Sequence, residues 1–161
     1  MSAIAENLKQ SDIFEQLTPT QLEMLANICS EERYAAGDVI FEQSSDSKEL
    51  YVIVRGEVEI LLSPTTGPLA TEQHQIAVLR RGQSFGEVAL VDEGLRSATA
   101  RAIQKDTRVL VIPREKFLML CETYPQLGYR VMANLAADLA TKIRNADMKI
   151  RDRLLYVPPP K

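Results

Sequence analysis

A chain of 161 residues, 45 % hydrophobic and 25 % charged, is long enough for one domain with a real core and has the composition of an ordinary globular protein. Its net charge of −3, from 19 basic and 22 acidic residues, argues against a general nucleic-acid binder, which carries a basic face. A single histidine and two cysteines without paired spacing leave little for a metal centre or a His-dependent catalytic set. No enzyme activity, metal or cofactor is therefore expected, and Cys29 and Cys121 each read as small buried apolar residues.

The start, "MSAIAENLKQ", has no apolar signal core, and no run reaches membrane-spanning length. The expectation is a cytoplasmic protein with neither membrane nor nucleic acid as partner. Residues 2–30 read as helix. Ser11 is a candidate N-cap for "SDIFEQL". Thr18, with Pro19 at the first helical position and Gln21 three residues on, forms a capping box for "TPTQLEMLANICS". From about 31 to 113 the period changes. "GDVIFEQ", "YVIVRGEVEILLSP" broken at Gly56, "IAVLRRG", "SATARAI" and "TRVLVIP" are short strands punctuated by Gly, Pro, Asp or Ser. Such a series predicts an antiparallel β-barrel or jelly roll within an α+β chain. "SPTTGPLATEQH" is a polar hairpin loop between two of the strands.

Residues 114–155 are helical again. "REKFLMLCETY" is a short amphipathic helix stopped by Pro125, and a long helix follows. In it Met132, Ala136, Leu139, Ile143, Ala146 and Ile150 recur at alternating steps of four and three, a heptad seam. The seam suits a homodimer through this helix; packing of the helix on its own barrel is the alternative. "VPPPK" cannot continue it. Residues 1–161 are thus expected to form a single domain, with N-terminal helices and a long C-terminal helix flanking the barrel.

Chemistry concentrates in "FGEVALVDEGLRSATA", residues 85–100. Gly86 lets a ligand approach the backbone closely. Unpaired N–H groups at the start of "EVAL" favour an anion. Glu87 would repel that anion unless it accepts hydrogen bonds from a neighbouring hydroxyl. Arg96 supplies a planar fork suited to phosphate oxygens, Ser97 a hydroxyl, and Ala98 a thin wall. Together they match a phosphate on a ribose with a free hydroxyl. The plainer alternative is that Arg96 pairs with Asp92 or Glu93 in a surface loop.

The stretch resembles the phosphate-binding cassette of the cyclic nucleotide-binding domain family: Phe-Gly-Glu, an apolar pair around Ala, a variable turn, then Arg followed by small residues. "AGDVIFEQ", "LYVIVRGEVEIL", "LRRGQSFGE" and "VLVIPREKF" also stand in family order, and the resemblance runs from about 14 to 150. It implies that Arg96 holds a cyclic phosphate and that Glu87 binds the ribose 2′-hydroxyl. Backbone N–H groups of Gly86, Val88 and Ala89, with Ser97 and Ala98, would complete the phosphate nest. Ile60, Ile76 and Ala77 would line the base, although any barrel interior holds such residues. Ser97 stands between the Thr that accompanies cyclic GMP and the Ala that accompanies cyclic AMP, so cyclic AMP is expected, with cyclic GMP possible.

Departures from the pattern are informative. Ser44 stands where relatives often have Gly. Lys142 and Ile143 stand where the catabolite-activator branch brings hydroxyl residues to the base, so no base contact is carried over. The sequence reaches Lys161 without that branch's helix-turn-helix. The expected function is a regulatory or sensor module that binds a cyclic nucleotide and signals to an effector protein or through dimer rearrangement. The alternatives are a ligand domain of a larger transcription regulator or enzyme, and a fold-only protein-interaction domain without nucleotide.

Overall fold

The structure, a computed structural model, describes residues 1–64, 66–68, 72–156 and 158–160. Helix α1 (Ala3–Lys9) is capped by the Ser2 hydroxyl, which accepts from the Ala5 N–H at 3.2 Å. A short 3-10 turn, Asp12–Phe14, follows, then helix α2 (Pro19–Ala26). Thr18 and Gln21 form the expected reciprocal capping box on α2. Ser11 makes no side-chain cap: "SDIFEQL" closes after one turn because Gln16 takes a left-handed φ of 66°.

Eight strands follow among the described residues: β1 (Ser30–Tyr34), β2 (Val39–Phe41), β3 (Glu49–Arg55), β4 (Val58–Leu62), β5 (His74–Leu79), β6 (Ser84–Phe85), β7 (Thr99–Ala102) and β8 (Thr107–Pro113). They form two antiparallel four-stranded sheets, ordered β1-β8-β3-β6 and β2-β7-β4-β5. A four-residue helix, α3 (Val88–Val91), interrupts the series, and α4 (Arg114–Thr123) and α5 (Pro125–Leu154) end it. The sequence pattern leaves out β1, whose "SEERY" is polar, and the two-residue β6. Both exist because a central strand binds them: β1 pairs with β8 along its length, and β6 pairs with β3 through Tyr51 and Phe85. Of the expected polar loop at 63–74, Thr65 and residues 69–71 lie outside the described residues; β4 and β5 on either side pair antiparallel. Val157 and Lys161 of the terminal segment also lie outside them.

Strands β3 and β8 explain their own unbroken apolar runs. Leu50 and Val52 of β3, with Leu110 and Ile112 of β8, face the helices and pack with Leu8, Phe14, Leu25, Phe117, Leu127 and Leu135. Tyr51 and Ile53, with Val109 and Val111, face the other way, into the space between the sheets, with Val58, Phe85 and Ala100. A strand buried on both faces loses the polar half of its alternation. Each large side chain buried here contributes about 1.5–3 kcal/mol.

Helix α5 belongs to the first core over its first half, to Leu139. Leu127, Gly128, Val131 and Leu135 are buried, and Asn134 donates to the carbonyls of Ile13 (3.2 Å) and Glu15 (2.8 Å). The expected seam divides. Met132 and Leu139 pack against the helical core, whereas Ile143 and Ile150 are exposed, like every residue from 141 to 155.

Candidate functional site

The site is built on the β6–α3 turn and on the return of the chain towards β7. Gly86 ends β6 with φ +78°, and a Cβ there would lie 2.8 Å from an Arg96 terminal nitrogen and 3.0 Å from the Glu49 carbonyl. The turn therefore needs glycine twice over, for its backbone angle and for the guanidinium lying against it. The chain then closes tightly: the Ala89 N–H donates to the Gly86 carbonyl at 3.2 Å and the Leu90 N–H to Glu87 at 3.0 Å. Ala89 N–H is thus engaged within the turn, while Val88 is 45 % exposed beside it.

Arg96 is buried, and the surface-loop alternative does not describe it. Asp92 accepts from Gly94 N–H, and Glu93 pairs with Arg114, so neither acidic residue meets the guanidinium. Instead Nε donates to Ser47 Oγ at 2.8 Å, one terminal nitrogen to the Gly86 carbonyl at 3.1 Å, and the other to the Glu49 carbonyl at 2.7 Å. Its Cζ lies 4.1 Å from the Phe41 ring centroid, over the ring face, and Phe41, Tyr51 and Phe85 form a cluster with centroids 5.0–5.9 Å apart. The backbone of Arg96 is held as well, its N–H by the Ser45 carbonyl at 2.9 Å and its carbonyl by the Ser44 N–H at 2.7 Å. Burial pushes the guanidinium's affinity for its proton down, opposed by Tyr51, Glu49 and Glu87. Arginine stays charged under such a shift. Of five N–H donors, three are hydrogen-bonded to protein, and the Glu49 carboxylate lies 3.7 Å from one terminal nitrogen.

Glu87 is also buried, and its Oε1 is paired with the Lys142 ammonium from α5. Lys142 in turn lies 3.0 Å from Asp138 one helical turn earlier. Ser97 is exposed and Ala98 half-buried at the mouth of the turn. On the barrel wall Ile60 stands opposite Ala77 in register, and both are partly buried. Ile76 does not join them: the register shifts between Ile60 and Leu61, and Ile76 is left 47 % exposed. Arg101, one strand residue pair beyond Thr99, is committed to Glu59 across the sheet at 2.5 Å.

Sequence reasoning did not find Ser47, Glu49, Phe41 or Tyr51 as partners of Arg96. Their only signal is the alternation of β3, which puts Tyr51 on the inner face, and the register that sets Tyr51 beside Phe85.

The chain matches the model of a family described as cyclic nucleotide-binding domain over residues 31–124. It is 33 % identical over 143 residues to a cyclic AMP receptor protein of Thermus thermophilus, covering 89 % of this chain and 62 % of the relative. Human cGMP-dependent protein kinase 2 is 29 % identical over 140 residues, covering 81 % of this chain and 17 % of the kinase. The crystal structure of the Thermus thermophilus catabolite activator protein superposes with a TM-score of 0.75 at 33 % identity, covering 88 % of this chain and 62 % of that one. The chain thus spans less than two thirds of these relatives' own length, and no helix among its described residues is long and apolar enough to cross a membrane. The family match contains the whole β6–α3 turn and the buried Arg96 that closes it, and this chain belongs to the cyclic nucleotide-binding domain family.

Proposed function

We propose that the protein is a cytoplasmic sensor module that takes up a cyclic nucleotide, cyclic AMP in preference to cyclic GMP, without catalysing a reaction. The observation that carries this reading is Arg96, a buried guanidinium with three of its five N–H donors hydrogen-bonded to protein, packed against the tight glycine turn at Gly86. Arg96 and the backbone N–H groups around Gly86 and Val88 hold the cyclic phosphate; Ser97 and Ala98 close the nest. Glu87 accepts the ribose 2′-hydroxyl. Ile60 and Ala77 form the base wall. The ligand preference follows from Ser97, which offers a hydroxyl without the rotamer-fixing methyl of Thr, and from the 33 % identical relative's name, cyclic AMP receptor protein.

Output requires a second surface. The exposed half of α5 is that surface, and a second copy of the chain or an effector protein is its partner. Isothermal titration with cyclic AMP and cyclic GMP tests the ligand reading. Cyclic AMP binds more tightly by about tenfold, the scale of one hydrogen bond. Arg96→Ala weakens binding on the order of a hundredfold, because a phosphate loses its charged partner. Arg101→Ala, which breaks only the Glu59 pair, has a much smaller effect. Native affinity in a folded Arg96→Ala variant, or a clear preference for cyclic GMP, overturns the assignment.

A further inference from the structure

Glu87 presents a problem of charge. It is a carboxylate with 7 % of its side chain exposed, standing beside the site proposed for an anion. A buried carboxylate without a partner is costly, and a neighbouring phosphate raises that cost. The chain answers from α5. Asp138 and Lys142 are four residues apart on that helix and project from one face. The buried first turns of α5, and Asn134 on the Ile13 and Glu15 carbonyls, fix where that face meets the barrel. Lys142 Nζ reaches Glu87 Oε1, Asp138 Oδ2 at 3.0 Å and the Ser84 carbonyl at 3.5 Å. The ammonium thus stands between two carboxylates, Glu87 on the barrel and Asp138 on its own helix, with 42 % of the Lys142 side chain exposed. Burial works to lower its proton affinity, but Glu87 and Asp138 outweigh burial and hold it charged.

We propose that Lys142 is a positioning residue for nucleotide binding, which takes Glu87 Oε1 so that Oε2 is turned to accept the sugar hydroxyl and the carboxylate's charge is offset beside the phosphate. This rests on Glu87 being the ribose acceptor. It makes α5 part of the site through Glu87. Whatever strengthens the hydroxyl bond to Glu87 therefore favours the docked position of α5, and the converse holds equally.

The test is calorimetric titration of cyclic AMP and its 2′-deoxy analogue into native protein, Lys142→Met and Lys142→Arg, with circular dichroism to verify folding. The native chain binds the ribose form more tightly than the 2′-deoxy form. Lys142→Met weakens cyclic AMP about tenfold, the value of one charge-assisted hydrogen bond, and brings the ribose-to-deoxy ratio towards one. Lys142→Arg restores both affinity and ratio. Should Met disturb the helix, Lys142→Gln gives the same comparison. Native or tighter binding by the Met and Gln variants overturns the proposal; tighter binding means that Lys142 competes with the sugar. Equal losses for both nucleotides, with the ratio intact, also overturn it, since only overall charge then matters. Failure of the native chain to bind either nucleotide sinks the ligand reading together with this one, whereas failure in the Lys142 comparison alone sinks only this one.

Discussion

Arg96 does two things that a lysine there would not. Its fork bonds Ser47, Gly86 and Glu49 at once, and its Cζ lies over the Phe41 ring. The same group that is proposed to hold a phosphate therefore also ties β2, β3 and β6 together. Burial holds the protons of three groups tightly, Tyr51 beside Arg96 and the partly buried Cys29 and Cys121 of the helical core. Tyr51, stacked on Phe85, is pushed up from 10.0 to about 12 by burial and then by Glu49. Burial raises the Cys29 thiol from 9.0 to about 12 and the Cys121 thiol from 9.0 to about 11. All three are neutral when protonated, and the folded state holds those protons more strongly than the unfolded chain does. Their stabilisation is complete below the ordinary values and is lost as pH rises through the folded ones. Thermal unfolding followed against pH is expected to stay level up to about 9 and then fall between about 9 and 12. Cys29→Ala makes the fall shallower. A midpoint that holds to the top of that range would contradict the burial of these groups.

Helices and loops are held by local backbone demands that single substitutions expose. Gly128 lies where α5 crosses α4, and a Cβ there would stand 2.8 Å from Cys121 Cβ and 3.0 Å from its Cα and carbonyl oxygen. Backbone cannot move aside as a side-chain tip can, so Gly128→Ala is expected to cost about 1–3 kcal/mol. Because α5 carries Lys142, the variant should also bind nucleotide more weakly. Ser44 shows the opposite case. Its φ is 68°, left-handed, and its N–H must stay there to meet the Arg96 carbonyl. A left-handed non-glycine residue costs about 1–2 kcal/mol, against about 0.5–1 kcal/mol of extra chain entropy for glycine. Ser44→Gly should thus stabilise the protein by up to about 1 kcal/mol. The urea midpoint reads both variants: it falls for Gly128→Ala and rises or holds for Ser44→Gly. A fall in the second would mean that the serine hydroxyl matters more than its backbone angle.

At the scale of the molecule, the two cores leave one long element half covered. Helix α5 has 30 residues, about 45 Å at the usual rise, and its last buried residue is Leu135. Beyond it Ile143, Met148, Ile150 and Leu154 are each more than half exposed. Apolar residues exposed together along a helix mark a contact surface. The proposed partner is a second copy, since heptad steps from Ile143 through Ala146 to Ile150 let one helix meet its own image. The shortened seam makes this association weak and sensitive to the position of α5. Sedimentation should find self-association that changes when cyclic AMP is added, and that Ile143→Asp or Ile150→Asp abolishes. A monomer with and without nucleotide, unaltered by either substitution, would leave the helix as a free arm of the monomer.

Short-range chemistry was legible in the sequence. The Thr18 capping box, the punctuated strands and the helix broken at Pro125 are each specified by residues a few positions apart, so composition and spacing suffice; the 85–100 stretch pointed to its family only through resemblance, since its residues alone also allowed a surface-loop pairing of Arg96. Long-range choices were not. Arg96 finds Ser47 and Glu49 across 49 and 47 residues, and Lys142 finds Glu87 across 55. Which partner wins depends on strand register and on where α5 docks, and many acidic residues satisfy the same local rules. The polar β1 becomes a strand only because β8 offers it an edge. A one-residue irregularity in β4–β5 turns Ile76 outward while Ile60 and Ala77 face each other. The heptad seam, continuous in sequence, divides between core and solvent because the barrel ends before the helix does. The residues of the 85–100 stretch and their family resemblance were thus written in the chain, and the tertiary structure alone decided which charges face them, since charge pairing depends on distance in space and not along the sequence.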